Sequence, residues 1–318
     1  MNDLPARVHI HEEGPREGFQ IEPGPIATAR KVELIDALAR TGLDHIQVVS
    51  FVNPKRVPGM ADADEVVAAL TPVEGVQYSA LWLNQQGLLR ALAHPGLTLE
   101  GKLTLYASPA FLMKNQNRTP DEQLAAQPEL LRMYLHYGVP VRSGFVTAAF
   151  GCNFEGDIPP ARVVELITRQ REIAREQDVV LDHFGLADTM GWANPQLVRR
   201  VVGAVRDAHP DISLSLHLHD TRGLGLANAL AGLEMGVDRF DTAVAGLGGC
   251  PFAALKGAAG NICTEDFVLL CEEMGIDTGV DLDALIECAR LAEDIVGHPL
   301  PGKVKAGGSL SAMRRRIG

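Results

Sequence analysis

The sequence predicts an α/β fold, a (β/α)8 TIM barrel with an extra C-terminal helix and a tail. β-rich runs alternate with helical patterns from one end of the chain to the other, in eight units. The length of 318 residues suits a single barrel with short extensions. A doubly wound open sheet is the alternative, but no Gly-x-Gly-x-x-Gly motif follows the first strand. The number of strands therefore favours the barrel.

Each predicted strand is short and is followed by a predicted helix. In chain order the strands are Arg7–Glu13, His45–Ser50, Val76–Trp82, Lys102–Ala107, Val141–Ala148, Val179–Leu186, Ser213–His219 and Arg239–Ala245. The helices are Thr28–Thr41, Ala63–Leu70, Gln85–His94, Pro120–Tyr137, Pro159–Gln177, Pro195–Ala208, Leu224–Met235 and Thr264–Met274. Several of them begin with a capping residue and an early proline. Asp281–Val296 is the extra helix, so we expect one domain over 1–296 and a solvated, partly disordered tail over 297–318.

The composition excludes several classes of protein. The net charge is −11, from 29 basic and 40 acidic residues, so the chain lacks the basic face of a non-specific nucleic-acid binder. Five cysteines without a CxxC pair argue against a disulfide framework or a structural zinc site. The first residues carry no secretory signal, and no apolar run reaches the roughly 18 residues that span a bilayer. We therefore expect a soluble cytoplasmic protein with no nucleic-acid or membrane partner.

Catalytic residues of a barrel lie at the C-terminal ends of its strands and in the loops that follow them. After the first strand, Arg16 and Glu17 offer a cation for a developing oxyanion and a carboxylate for a metal or a proton. An ordinary charged turn is the alternative at this position. His217 and His219 end the seventh strand, where side chains two residues apart point to the same face. This spacing favours a pair of metal ligands over two packed histidines.

Three further candidates lie after later strands. Asp188 ends the sixth strand and can join the site. After the eighth strand, Gly246–Gly249 form a glycine-rich loop that leads to Cys250, a candidate acid or nucleophile. A flexible turn with an inert thiol is the alternative there. Asn261 precedes the last barrel helix, where an N-cap by Thr264 would explain part of the pattern.

Taken in order and spacing, these segments resemble one family of enzymes. The segments are Gly14-Pro15-Arg16, Ser50-Phe51-Val52 with Pro54-Lys55, Leu218-His219-Asp220-Thr221, Val244 to Pro251, Gly260-Asn261 and Thr264-Glu265-Asp266. Over about residues 7 to 290 the chain resembles the 3-hydroxy-3-methylglutaryl-CoA lyase family, which lies among the metal-dependent lyase and Claisen-condensing TIM barrels. A barrel that has lost catalysis and only binds a partner is the rival interpretation, and the retained motif residues argue against it.

The resemblance implies a divalent-metal-dependent lyase that cleaves a 3-hydroxy-3-methylglutaryl-CoA-type thioester to acetyl-CoA and a ketoacid. A lyase for a different branched 3-hydroxyacyl-CoA, or a condensing enzyme, stays open as an alternative. The implied cofactor is Mg²⁺ or Mn²⁺, and the implied assembly is a homodimer. The implied metal ligands are Glu17, His217, His219 and Asn261; the implied catalytic residues are Arg16, Cys250, His217 and Asp188. We expect substrate contacts from Gln20, Gln47, Gly248, Gly249 and Lys55, the last otherwise an ordinary loop lysine.

The chain departs from that family's pattern in three places. Glu17 stands where the family has aspartate after the motif arginine, and Gln47 stands where it has glutamate on the second strand. The segment from Gln20 to Pro23 replaces the family's Gln-Asn-Glu-Lys. We expect Glu17 and Gln47 to be neighbours, with the amide donating to the longer carboxylate; neutral drift in a tolerant site is the alternative. These departures bear on the substrate more than on the class of reaction.

Overall fold

The computed structural model describes residues 4–248 and 260–317, which belong to two compact units. The terminal unit contains residues 6–98, 241–248 and 260–317, and the central unit contains residues 99–240 with residues 4 and 5. In both units strands alternate with helices along the chain. No helix in the described ranges is long and apolar enough to cross a membrane.

The first stretch of the terminal unit carries three parallel strands. Its elements are β1 (His9–Glu12), α1 (Gly14–Ile21), α2 (Thr28–Leu38), β2 (His45–Phe51), α3 (Ala63–Ala69), β3 (Gln77–Trp82) and α4 (Gln85–Leu92). β2 lies between β1 and β3, with His11 opposite His45 and Ile46 opposite Tyr78. Leu34, Ile35 and Leu38 of α2 are fully buried, as expected for the apolar stripe of a helix that covers a sheet.

The central unit carries four parallel strands and a short antiparallel hairpin. Its elements are β4 (Gly101–Tyr106), α5 (Pro109–Gln116), α6 (Pro120–His136), β5 (Val141–Thr147), β6 (Gly151–Cys152), β7 (Gly156–Asp157), α7 (Pro160–Arg175), β8 (His183–Ala187), α8 (Pro195–Ala208), β9 (Ser213–His217) and α9 (Gly225–Glu234). β4, β5, β8 and β9 pair in that order, and β6 pairs with β7. The carboxyl ends of β8 and β9 lead into the segments that carry Asp188 and His219.

The chain returns to the terminal unit through β10 (Arg239–Thr242). Four helices follow among the described residues: α10 (Thr264–Glu273), α11 (Leu282–Val296), α12 (Val304–Gly307) and α13 (Leu310–Ile317). α11 is the extra helix that the sequence predicts. The expectation of a partly disordered tail is wrong for residues 304–307 and 310–317, which are helical. Arg314 and Arg315 of α13 form exposed ion pairs with Glu273 and Asp283, each at 2.7 Å.

Each of the eight predicted strands overlaps an observed one, and the differences have local causes. The sixth strand begins at His183 rather than Val179, because Asp178 has a φ of 57° and the Val179 N–H donates to Ala174 O at the end of α7. Apart from α12 and α13 in the tail, two helices, α1 and α5, are absent from the prediction. Each has a proline in its first turn, where proline is well tolerated. In α1 the glycines lower the intrinsic helix propensity and conceal the pattern.

Gly14 is a position where a side chain has no room. The Gly14 N–H donates to Glu12 Oε1 at 2.7 Å, and a Cβ on Gly14 would lie 2.5 Å from that same oxygen and 3.1 Å from Val244. Both neighbours are buried, so neither can move into solvent. The turn from β1 into α1 therefore requires glycine.

We predict that Gly14→Ala lowers the free energy of unfolding by about 1–3 kcal/mol, the usual cost of forcing a methyl group into a packed site. Gly24→Ala is the matched control, because a Cβ at Gly24 would meet nothing within 4 Å. Denaturant unfolding of the two variants beside wild type measures the difference. Equal stability of the Gly14 and Gly24 variants would contradict the steric explanation.

Candidate active site

The carboxyl end of β1 leads directly into α1, and this turn places several polar side chains together in the terminal unit. Glu13 occupies the N-cap position of α1 and Pro15 lies in its first turn. Arg16 and Glu17 follow within that turn, so both side chains emerge just beyond the end of the strand. Sequence reasoning predicts this placement for catalytic groups of a barrel, and Arg16 and Glu17 are both found there.

Arg16 is buried, with 9% of its surface exposed, and its guanidinium has three acceptors. Nη1 donates to Glu17 Oε1 at 2.7 Å, and Nη2 donates to Glu13 Oε2 at 2.7 Å. Nε donates to Gln47 Oε1 on β2. Because a guanidinium only donates, the oxygen of the Gln47 amide must face it. Arg16 therefore lies between Glu17 and Gln47, and the expectation of a direct hydrogen bond from the Gln47 amide to the Glu17 carboxylate is wrong.

The electrostatic surroundings keep Arg16 charged. Burial alone acts to lower the pKa of Arg16, but the carboxylates of Glu13 and Glu17 outweigh burial, and the pKa is raised above its usual value. Two carboxylates for one buried cation also leave the group with a net negative charge. A further cation would be favoured next to it.

Asn261 contacts Glu17 and has an unsatisfied oxygen. Asn261 Nδ2 donates to Glu17 Oε2, while Asn261 Oδ1 is buried and makes no hydrogen bond with the described residues. Gly248, at a φ of 93°, packs here, and a Cβ on it would lie 2.9 Å from the Glu17 Cβ and 3.1 Å from Asn261 Nδ2. A buried amide oxygen without a donor costs free energy unless something else binds it. A hard divalent cation, which prefers carboxylate and amide oxygens, fits this edge of the group.

The other predicted residues of the terminal unit have different surroundings. Gln20 Oε1 accepts a hydrogen bond from Ser50 Oγ at 3.0 Å, which ties α1 to β2. Lys55 is exposed in the loop after β2, and its backbone N–H donates to Asn53 Oδ1 at 3.0 Å. The structure does not place Lys55 among the contacts of Arg16. Gly249 and Cys250 lie outside the described residues.

The central unit brings the two predicted histidines together. His217 is the last residue of β9, and His217 Nε2 lies 3.1 Å from His219 Nε2. Both side chains are buried, and the His217 ring packs edge-on against Phe145 at 6.4 Å between centroids. At this distance the two nitrogens can share one proton, or both lone pairs can bind a cation. The pair therefore fits a metal site as well as a hydrogen bond.

Asp188 lies beside this strand pair and is held in one orientation. Its backbone N–H donates to His217 O at 2.8 Å, and its carboxylate accepts from the N–H groups of Trp192 at 2.7 Å and Ala193 at 3.1 Å. Burial raises the pKa of Asp188 to about 6, although the two N–H groups and His217 oppose the rise. The structure thus brings Asp188 close to His217, as the sequence predicts for one end of the sheet.

Sequence reasoning missed a buried carboxylate network beneath the glycine-rich loop. Glu12 is fully buried and accepts from Val244 N at 2.9 Å and from Thr264 Oγ1 at 2.5 Å. The Thr264 hydroxyl therefore does not act as an N-cap, because Cys263 is the N-cap residue of α10. Glu265 Oε2 accepts from the N–H of Ala245, a residue held at a φ of 58°. The two carboxylates fix the backbone where the glycine-rich loop begins.

Glu13 is the other residue that sequence reasoning missed. It is buried and binds Arg16, and its Oε1 lies 3.7 Å from His11 Nδ1, which in turn lies 3.3 Å from Asp241. The spacing of three residues between Glu13 and Arg16 at a helix start was the available signal. His11, Glu13 and Asp241 form one candidate cluster of metal-binding atoms, and Cys263, Glu265 and Asp266 form another.

Comparison with known proteins identifies the family. The sequence model described as HMGL-like matches residues 7–292. The chain belongs to the HMGL-like family. It is 38% identical over 299 residues to hydroxymethylglutaryl-CoA lyase YngG of Bacillus subtilis, covering 94% of this chain and 96% of that protein. It is 38% identical over 304 residues to the human mitochondrial hydroxymethylglutaryl-CoA lyase, covering 96% of this chain and 90% of that protein.

Solved structures agree with this assignment. An HMG-CoA lyase from Acinetobacter baumannii, in complex with coenzyme A and 3-methylmalate, has a TM-score of 0.85 at 38% identity and covers 98% of both chains. The HMG-CoA lyase of Bacillus subtilis has a TM-score of 0.86 at 36% identity and covers 98% of this chain and 99% of its own. The predicted family and the predicted TIM-barrel fold are confirmed. This HMGL-like protein is a carbon–carbon lyase.

The buried carboxylate Glu265 predicts a pH dependence of stability. Burial raises the pKa of Glu265 to about 7, although the Cys263 thiol and the Ala245 N–H oppose the rise. Between about pH 4.5 and 7 the folded chain therefore binds this proton more tightly than the unfolded chain, and the free energy of unfolding falls as the pH rises.

We predict that Glu265→Gln removes part of this fall, by up to about 3 kcal/mol between pH 5 and pH 8. The amide oxygen can still accept from Ala245, so the contact survives while the titration is lost. Urea unfolding of wild type and variant at the two pH values is the measurement. If the free energy of unfolding depends on pH identically in both proteins, folding does not raise the pKa of Glu265.

Proposed function

We propose that this HMGL-like lyase cleaves 3-hydroxy-3-methylglutaryl-CoA, or a closely similar branched 3-hydroxyacyl-CoA, to acetyl-CoA and a ketoacid. The named relatives and the solved HMG-CoA lyases support this substrate class. The reaction breaks the bond between the carbon that bears the hydroxyl group and the carbon next to the thioester. The hydroxyl proton leaves, a ketone forms, and the electron pair stays with the thioester as an enolate. A proton then completes acetyl-CoA.

The observation that carries the proposal is the buried, unsatisfied Asn261 Oδ1 beside the Glu17 carboxylate. These oxygens, together with the imidazoles of His217 and His219, make up the donor set we propose for one divalent cation. The carboxylate and amide oxygens of this set suit Mg²⁺ or Mn²⁺, the ions that the resemblance implies. When bound, the cation makes the substrate hydroxyl more acidic.

Arg16 stabilises the negative charge that develops on the thioester oxygen. It is buried and stays charged, so its remaining N–H groups act at low dielectric where such stabilisation is strongest. The three acceptors on Nε, Nη1 and Nη2 fix the plane of the guanidinium before substrate arrives. Such preorganisation lowers the barrier because no dipole has to turn during the reaction.

Asp188 accepts the hydroxyl proton, and Cys250 supplies the proton that completes acetyl-CoA. The N–H groups of Trp192 and Ala193 hold the Asp188 carboxylate in one orientation, which suits a group that must meet a single hydroxyl. Gly248 and Gly249 belong to the proposed substrate contacts, as the resemblance implies. Gln20 and Gln47 contact the acyl part, and the exposed Lys55 pairs with a phosphate of coenzyme A.

We also propose that the protein works in the cytoplasm as a homodimer. The free, buried cysteines support a reducing compartment. Burial raises the pKa of Cys271 and of Cys288 to about 12, which leaves both thiols unreactive. The dimer is proposed by analogy with the resembled family, and sedimentation of the purified chain measures it.

A panel of acyl-CoA thioesters tests the proposed function. We predict metal-dependent release of acetyl-CoA from 3-hydroxy-3-methylglutaryl-CoA, with loss of activity after chelation and recovery with Mg²⁺ or Mn²⁺. Faster cleavage of another branched 3-hydroxyacyl-CoA would assign that compound as the substrate. Condensation of acetyl-CoA with a ketoacid as the only reaction would favour a synthase. No reaction with any thioester of the panel would contradict a lyase.

We predict that His219→Ala loses bound metal and lyase activity together, with activity falling at least about 100-fold, because one of the ligands is removed. His136→Ala, at an exposed position on α6, is the matched control. Elemental analysis after gel filtration gives the metal content of each variant. Full occupancy in the His219 variant would remove this residue from the ligand set.

A further inference from the structure

Arg16 is held by more groups than the proposed reaction uses. Glu17 is one of the proposed metal ligands. Glu13 is not a proposed ligand, and it still binds the same guanidinium. Glu13 is 4% exposed, so its carboxylate has been taken out of water to make this contact. Burying a carboxylate is costly unless it is paired, and its charged partner here is Arg16.

The positions of the contacts show what Glu13 contributes. Nε of Arg16 donates to Gln47 Oε1, Nη1 to Glu17 Oε1 and Nη2 to Glu13 Oε2. These bonds account for three of the five N–H groups, and within the described residues one N–H remains on Nη1 and one on Nη2. Without Glu13, only Gln47 and Glu17 would accept from the guanidinium, and Nη2 would donate to neither of them. The guanidinium could then tilt.

We propose that Glu13 is a positioning residue, which orients Arg16 so that its remaining Nη1 and Nη2 N–H groups face the thioester oxygen. Glu13 and Gln47 both orient Arg16, since each binds a guanidinium nitrogen that Glu17 does not contact. Only Glu13 brings a charge, so the carboxylate can be moved between the two positions by exchanging the acid and the amide. The kinetic part of this proposal rests on the proposed function, whereas the effect on folding does not.

Four proteins test the proposal: wild type, Glu13→Gln, Gln47→Glu, and the variant with both changes, which has the same net charge as wild type. We expect Glu13→Gln to lower kcat about 10- to 100-fold and to leave KM within about threefold of wild type. A misoriented Arg16 stabilises the charge of the transition state less well and hardly affects binding of the substrate. Gln47→Glu alone also lowers kcat, because three carboxylates then crowd one guanidinium. The double variant recovers most of the loss, because the second carboxylate again binds Arg16.

The same four proteins are compared by thermal unfolding, which needs no substrate. We expect each single change to lower Tm by several degrees and the double variant to recover most of that loss. Glu129→Gln is the matched control, since Glu129 pairs with Arg132 at the same spacing of three residues but in solvent. We expect that control to change neither kcat nor Tm.

Additive effects of the two changes on kcat and on Tm would overturn the proposal, because they would show that Glu13 and Gln47 do not act on one group. A Glu13→Gln variant with wild-type kcat and KM would also overturn it. If wild type cleaves no acyl-CoA, the proposed function fails, and the comparison of Tm values alone decides whether the two residues are coupled through Arg16.

Discussion

The buried guanidinium of Arg16 is the constraint on which the polar cluster at the start of α1 depends. A charge removed from water costs several kcal/mol unless opposite charges and hydrogen bonds compensate it. Glu13 and Glu17 supply the charges from within the same helical turn, and Gln47 supplies an acceptor from β2. Compensation by Glu13 therefore requires that α1 forms, because the helical turn brings Glu13 next to Arg16, three residues later.

The start of α1 depends in turn on a second buried carboxylate. Glu12 accepts the N–H groups of Gly14 and Val244, so one side chain holds both the helix start and the chain that leaves β10. Burial raises the pKa of Glu12 to about 7, although the Thr264 hydroxyl and both N–H groups oppose the rise. Glu265 likewise accepts the N–H of Ala245, whose backbone is in the left-handed conformation. The glycine-rich loop thus begins from a fixed base.

The sequence predicts the parallel strands well, because alternation of strand and helix is a pattern that repeats along the whole chain. It predicts Arg16, Glu17, His217 and His219 as site residues because each lies at the carboxyl end of a strand or directly after one. It fails at α1, where glycines required by close packing conceal a helix. It also fails for the partners of Arg16. Arg16 and Gln47 are 31 residues apart, and no local sequence pattern predicts their contact.

Two details show how a correct residue can carry an unexpected contact. The sequence around Thr264 is typical of a helix N-cap, yet its hydroxyl donates a hydrogen bond to Glu12, a residue 252 positions earlier. Gln47 differs from the resembled family, and its amide oxygen accepts a hydrogen bond from Arg16 Nε. Tertiary contacts of this kind depend on which strands become neighbours, and the propensities of single residues do not encode that information.

A crystal structure of the protein soaked with Mn²⁺ and recorded at an anomalous wavelength tests the central claim most directly. We expect a single strong peak at coordination distance from Asn261 Oδ1 and the Glu17 carboxylate, with Arg16 still bound to Glu13 and Gln47. A peak at the cluster of His11, Glu13 and Asp241 instead, with Asn261 Oδ1 bonded to a protein N–H, would contradict it.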